Sequence, residues 1–331
     1  MTSAVVRAET TERLQPRWIH GALTDSVLAL CWVPFAIVAL ALDGRADATR
    51  LLMSAVLLFS FTHQPLTLAL VYGDRERFAL RRRVFTWSPL VFAVAVLVAL
   101  EVSFVLLAIV GGLWNAVHTL FQRYGIVRIY GRKVGQSDGR LERALLLSWL
   151  IAALLWAAAD TRTPDRAVEA GLAGHNRDAV DVLAELRPFA LALLVPVVIA
   201  AVVLSARWIA REVSLGSGSN PAKHLYLGST AALFVLTVVN PIAGLIAYVG
   251  SHAAEYFIIV YTNLRTRYQV VPADSALVGR AVRSPVGRPG CMLLYVGAIA
   301  AIVYALAEAG STRAYVTVFF VLGGLHIFYD G

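Results

Sequence analysis

Four histidines interrupt otherwise hydrophobic segments: His63 in FSFTHQPLTL, His118 in WNAVHTLFQRYGIVRIYGRK, His252 in YVGSHAAEYFIIVY and His326 in LGGLHIFYDG. An imidazole deep in an apolar helix costs free energy unless it has a partner, and the neutral ring is a common ligand for iron, copper and zinc. Three of the four bring polar company at helical spacing. Gln122 follows His118 by four residues, Glu255 follows His252 by three and Asp330 follows His326 by four, so each shares a helix face with its histidine. A carboxylate so placed can ligate a hard metal or accept the other ring N–H and hold the tautomer. This reading makes His63, His118, His252 and His326 metal ligands, with Glu255 and Asp330 as ligands or supporting acceptors and Gln122 orienting a bound ligand. Gly111, Gly112, Gly250, Gly323 and Gly324 lie shortly before three of the histidines and predict close helix approach there.

The elements that must position these residues are membrane-spanning helices. The chain has 331 residues, 59% hydrophobic and 15% charged, with a mean hydropathy of +0.70, and apolar runs of about 18 residues or more recur from end to end. That pattern defines an all-α polytopic transmembrane bundle, read as one integral membrane domain over residues 1–331, with membrane lipid as its first partner. The +8 net charge would suggest nucleic acid in a soluble protein. Here the arginines crowd the ends of apolar runs, as the positive-inside rule requires, and no nucleic-acid partner is expected. The polar segment 1–20 leads into a long apolar run without a small-residue cleavage site, so the first span reads as retained. Cys31 and Cys291 imply neither a disulfide framework nor a cysteine metal site.

Charge decides the threading. Spans are expected at about Gly21 to Leu42 and Leu51 to Tyr72, the second carrying His63 beside Pro65, which removes a backbone donor and predicts a kink. Arg75, Arg77, Arg81, Arg82 and Arg83 then mark a cytoplasmic loop. The apolar tract from Val84 to Phe121 lies between that loop and another basic segment, so an even number of spans must separate them, divided near Glu101. A span at about Ala144 to Ala159 leads to an extracytoplasmic link, 160–187, with a short surface helix expected around Ala179 to Leu186. Pro188 to Leu204 returns to a cytoplasmic loop with Arg207, Arg211 and Lys223 around the flexible GSGSNP. Asn240-Pro241 divides the tract from His224 to Tyr261, and spans at about Met292 to Ala307 and Ala314 to Tyr329 close the chain. Ten spans with both termini cytoplasmic satisfy every charge bias. The chain stops at Asp330-Gly331 without the basic anchor that usually follows an inward-going span, which reads as an open end. Spans two, four, eight and ten all run inward, and they carry the four histidines about 14 to 22 Å from their outer ends at 1.5 Å per residue. His20, His175 and His224, at membrane edges or in the link, read as solvated. Asp330 and Arg123 also fit interfacial anchors, and the tyrosines near the span ends, Tyr256 among them, fit an aromatic belt.

Soluble-enzyme signatures are missing, as are the clustered H-x-x-x-H boxes of membrane desaturases. The stretches around His63, His118 and His252, with LHIFYD at His326 and Asp330, resemble the Brp/Blh family of membrane β-carotene-cleaving dioxygenases. In that family histidines from separate helices hold a non-haem iron. The sequence departs from the family pattern in lacking His-Gly-x-x-Asp at His63 and a paired histidine near His252, where Glu255 stands instead. These departures mean that the exact substrate does not carry over from the family; the expectation is a metal-dependent membrane oxidoreductase, a non-haem iron oxygenase acting on a lipid-soluble substrate such as an isoprenoid, carotenoid or acyl chain, with an electron donor as a candidate partner and a bacterial-type plasma membrane as its expected location. Two other chemistries use the same residues: axial histidine pairs on b-type haem, and a proton relay in a proton-coupled transporter.

Overall fold

Helices form wherever the sequence is continuously apolar and end where a residue offers the backbone another partner. In the computed structural model, which describes residues 17–172, 181–182, 184–270, 277–283, 286–308 and 312–330, every regular element is helical. His175, the first sixteen residues of the polar N-terminal segment and part of the helix expected around Ala179 to Leu186 lie outside the described residues. The long helices are α1 Ala22–Leu30 and α2 Trp32–Ala41, which together make one apolar segment, then α3 Ala46–Tyr72, α5 Arg82–Val102, α6 Phe104–Arg132, α7 Arg140–Ala159, α9 Arg187–Leu215, α10 Pro221–Val239, α11 Pro241–Val270, α13 Gly287–Glu308 and α14 Thr312–Asp330. Short helices α4 Arg75–Leu80, α8 Thr163–Glu169 and α12 Leu277–Val282 lie between them.

The divisions of the two long tracts have local causes. Ser103 is extended, and its Oγ accepts the Leu106 N–H at 3.2 Å, an N-cap that starts α6 just past Glu101. Asn220 and Asn240 act alike: each side chain accepts a backbone N–H of the following turn, from Ala222 and Ala243, both at 3.1 Å. Each also precedes a proline in the first helical position, where a missing N–H costs nothing. Asp74 caps α4, accepting from Glu76 and Arg77. α3 continues through Pro65 as one helix.

Among the described residues nine helical segments are long and apolar enough to cross a membrane, and α14, of 19 residues, occupies the place of the tenth expected span. Their outward faces stay apolar: Phe189, Val195 and Val202 of α9 are more than 60% exposed. Such a surface suits lipid, the solvent in which helices satisfy their own backbone polar groups. The chain is thus a multi-pass helical protein of membrane-spanning composition.

It divides into two compact units. One comprises Met1–Ala46 and Thr119–Tyr248, the other Asp47–His118 and Val249–Gly331. In the first, α9 packs along α7, and α10 against α1 and α7. Two expectations about loop cations are corrected there. Arg207 and Arg211 lie on α9, which continues beyond Leu204 to Leu215, and Lys223 is fully buried rather than in a solvated loop. Arg123 is not an interfacial anchor: it is fully buried, donating to Thr230 Oγ1 at 3.2 Å beside the Tyr226 ring. In the second unit α14 packs against α5 and α13, and Leu66 and Leu70 of α3 form a core with Tyr256, Val260 and Leu264 of α11. Arg267 closes this unit by binding Asp74 through Nη2 and Nε, at 2.6 and 3.0 Å.

Candidate metal centre

All four histidines belong to the second unit, each on a different helix: His63 on α3, His118 on α6, His252 on α11 and His326 on α14. Burial separates three of them from water, while His118 is partly exposed. His63, His252 and His326 are each 1% exposed, because they sit on the inward faces of helices whose other faces are apolar. Gly111 and Gly324 let those helices approach. A Cβ on Gly324 would lie 2.7 Å from the Phe92 ring, and one on Gly111 2.6 Å from Phe320. Gly112 faces open space, so only some of the glycines singled out from sequence act this way.

The rings converge. His63 Nε2 lies 3.1 Å from His326 Nε2, and His118 Nε2 lies 3.2 Å from the same atom. The His252 ring centroid is 4.7 Å from that of His63 and 5.3 Å from that of His118, both edge to face. Potential ligand atoms of His63, His252 and His326 lie within 4.8 Å of one another, as do those of His118, His326 and Asp330. Two imidazole nitrogens bound to one ion at about 2.0–2.1 Å are separated by about 2.9–3.4 Å for angles between square and tetrahedral. The two nitrogen pairs fall in that range, so His326 with either His63 or His118 suits neighbouring positions on one ion.

His326 is held from behind. Its Nδ1 lies 2.7 Å from Thr67 Oγ1 and 3.3 Å from Asp330 Oδ2, while Thr67 Oγ1 is 2.5 Å from the Tyr256 hydroxyl and 3.4 Å from both Asp330 oxygens. A hydroxyl can accept twice and donate once. With Nε2 turned to the other rings, the His326 proton belongs on Nδ1. Were Nε2 to hold a metal, Nδ1–H would donate to Thr67 Oγ1, whose hydroxyl can donate to Asp330 or share its proton with the Tyr256 hydroxyl. This arrangement fixes both the tautomer and the ring plane, the usual function of groups behind a ligating imidazole.

Asp330 lies one turn after His326 with its Oδ2 3.3 Å from the ring. Glu255 is fully buried on α11 but belongs to neither group of converging ligand atoms among the described residues. Gln122, one turn after His118, falls in the other compact unit. Thr67 and Tyr256 are the residues that sequence reasoning missed as supports. Each lies four residues after a histidine, His63 and His252 respectively, so the helical-spacing rule that singled out Asp330 would have found both.

A scan against protein-family models, a search of curated proteins and a search of solved structures each returned no match to this chain.

Proposed function

We propose that the protein is a metal-dependent membrane oxidoreductase, a non-haem iron oxygenase acting on a lipid-soluble substrate such as an isoprenoid, carotenoid or acyl chain. The observation that carries the proposal is the meeting of four imidazoles from four separate helices, three of them fully buried. His63, His118, His252 and His326 would hold the iron, which when bound supplies the redox chemistry that oxygen activation requires. Thr67, Tyr256 and Asp330 hold the His326 proton and fix its ring. A cleft of about 340 Å3 lined by Arg81, Val84, Phe85, Trp114, Ile327, Phe328 and Tyr329 lies on the helices that carry His118 and His326, and its aromatic side chains suit an isoprenoid or polyene. The 3.1 and 3.2 Å spacings of the His63–His326 and His118–His326 nitrogens would suit neighbouring ligands of one ion. The proposal includes ten spans in a bacterial-type plasma membrane, with both termini cytoplasmic.

The test is elemental analysis and the visible spectrum of protein purified in detergent, for wild type and for His118→Ala and His252→Ala. Near-stoichiometric iron without haem bands, lost in both variants, supports the proposal. Sharp haem bands, or a protein that stays metal-free after reconstitution with iron, would overturn it.

A further inference from the structure

The two groups of converging ligand atoms differ in burial. His63, His252 and His326 are each 1% exposed, whereas in the group of His118, His326 and Asp330 only His326 is buried. His118 is partly exposed, and the Asp330 side chain keeps 26% of its surface open. The His326 ring belongs to both groups. Its Nε2 lies 3.1 Å from His63 Nε2 and 3.2 Å from His118 Nε2, and its Nδ1 lies 3.3 Å from Asp330 Oδ2. The centre thus has a sealed side and an open side, with one imidazole common to the two.

The open side lies at the last turn of α14, next to the end of α3, where the Tyr329 and Tyr72 hydroxyls are 2.7 Å apart. Other charges at this end of the unit are positive or already engaged. Arg75, Arg81, Arg82 and Arg83 are exposed, and Arg267 takes up both Asp74, at 2.6 Å, and Glu76, at 3.5 Å. Asp330 pairs with no arginine among the described residues; its ion-pair partner is His326. A carboxylate clamped by a guanidinium is already neutralised, whereas one beside a neutral imidazole still attracts a cation. Asp330 is therefore the attractive point for a metal ion on a surface that otherwise repels it.

Bringing a divalent cation into a buried site costs most when it must shed its water before new ligands replace it. Ligand positions that share members with the next position lower that cost, because the ion is never left bare. Asp330 and His118 both reach the surface and can take an ion that still carries water. His326 stands next to both, and His63 and His252 stand beyond it, their ring centroids 4.7 Å apart. We propose that Asp330 and His118 form an entry site for a divalent cation at the open side of the centre. His118 and His326 keep hold of the ion while Asp330 is exchanged for His63 and His252. This rests on the reading of the histidines as a metal centre, and it gives Asp330 a part in loading the ion rather than in holding it.

The experiment follows uptake of cobalt(II) by the metal-free full-length protein in detergent, through the visible absorption of the bound ion, and then its release to excess chelator. An entry site changes the barrier and not the end states, so its loss slows both directions equally. Asp330→Asn still accepts from Thr67 but lacks the charge. It should slow uptake and release together by about tenfold, the low end of the rate gain that local charge gives a counter-ion, with affinity and final metal content unchanged. Asp330→Glu, which keeps the charge, should restore wild-type rates. If Asp330→Asn fails to fold, Asp330→Ser, smaller and still able to accept from Thr67, decides the question. Faster release with unchanged uptake would make Asp330 an ordinary ligand or support, and unchanged rates would place the entry elsewhere; either overturns the proposal. No uptake by wild type would instead overturn the metal centre itself, and this proposal with it.

Discussion

At the scale of single residues, the decisive group behind the candidate metal centre is an unremarked threonine. Thr67 touches His326, Tyr256 and Asp330 at once, so its hydroxyl sets which nitrogen of His326 is free to ligate. Thr67→Val keeps the volume and removes the hydroxyl. It is expected to weaken metal binding by about 10- to 100-fold, the range found for groups that orient a ligating imidazole, whereas Thr67→Ser should stay close to wild type. Metal titration of the purified variants followed by elemental analysis decides the point, and equal affinity in all three proteins would remove Thr67 from the site. Lys223 makes the opposite kind of case, a stabilising group whose loss strands its partners. Lys223→Met leaves Glu142 and Glu212 buried without their shared cation and should destabilise the fold by about 3–5 kcal/mol, read as a lower denaturation midpoint in detergent. An unshifted midpoint would mean that the carboxylates relax by taking up protons or water.

At the scale of elements, the glycines of α6 and α14 set how closely helices approach around the histidines. Gly324 stands two residues before His326, and its α-carbon faces the Phe92 ring of α5. Gly324→Val should force the ring aside and cost about 1–3 kcal/mol, as overpacking typically does, while displacing His326 enough to lower bound metal. Gly112 is the control because a Cβ there meets nothing within 4 Å. Gly112→Ala should leave metal content unchanged and raise stability by about 0.5–1 kcal/mol through the lower backbone entropy of alanine in a helix. Denaturation midpoints and metal content measured on both variants separate packing from ligation. If the two behave alike, close approach at Gly324 is not what positions His326.

At the scale of the whole molecule, the arginine pattern that ordered the spans also predicts which loops face the cytoplasm. In a background with Cys31→Ser and Cys291→Ser, Asp165→Cys should react with a membrane-impermeant maleimide in intact cells. Ser137→Cys should react only after permeabilisation. The reverse pattern would invert the proposed topology. Not every arginine is available to such a rule, because Arg123 and Arg128 are buried and Arg128 is bound to the Gln136, Ser137 and Asp138 carbonyls. Their charges belong to the interior of the first unit.

What the sequence by itself determined was what depends on neighbours along the chain. Helix existence, the breaks at Ser103 and Asn240, and the placing of each histidine on its own apolar segment follow from hydrophobic run length, capping side chains and proline, all local in their action. Asp330 was legible for the same reason, being one turn from His326. Only the tertiary structure decided which faces meet. That four rings come together at His326, that Thr67 and Tyr256 stand behind it, and that Lys223 and Arg123 are buried rather than solvated depend on partners far away in sequence, such as Gln136, 87 residues from Lys223, and His326, 263 residues from His63, well beyond any local pattern. A charged side chain at a helix end looks the same in sequence whether it snorkels to water or turns inward to a carboxylate. The choice is made by the helix packed against it.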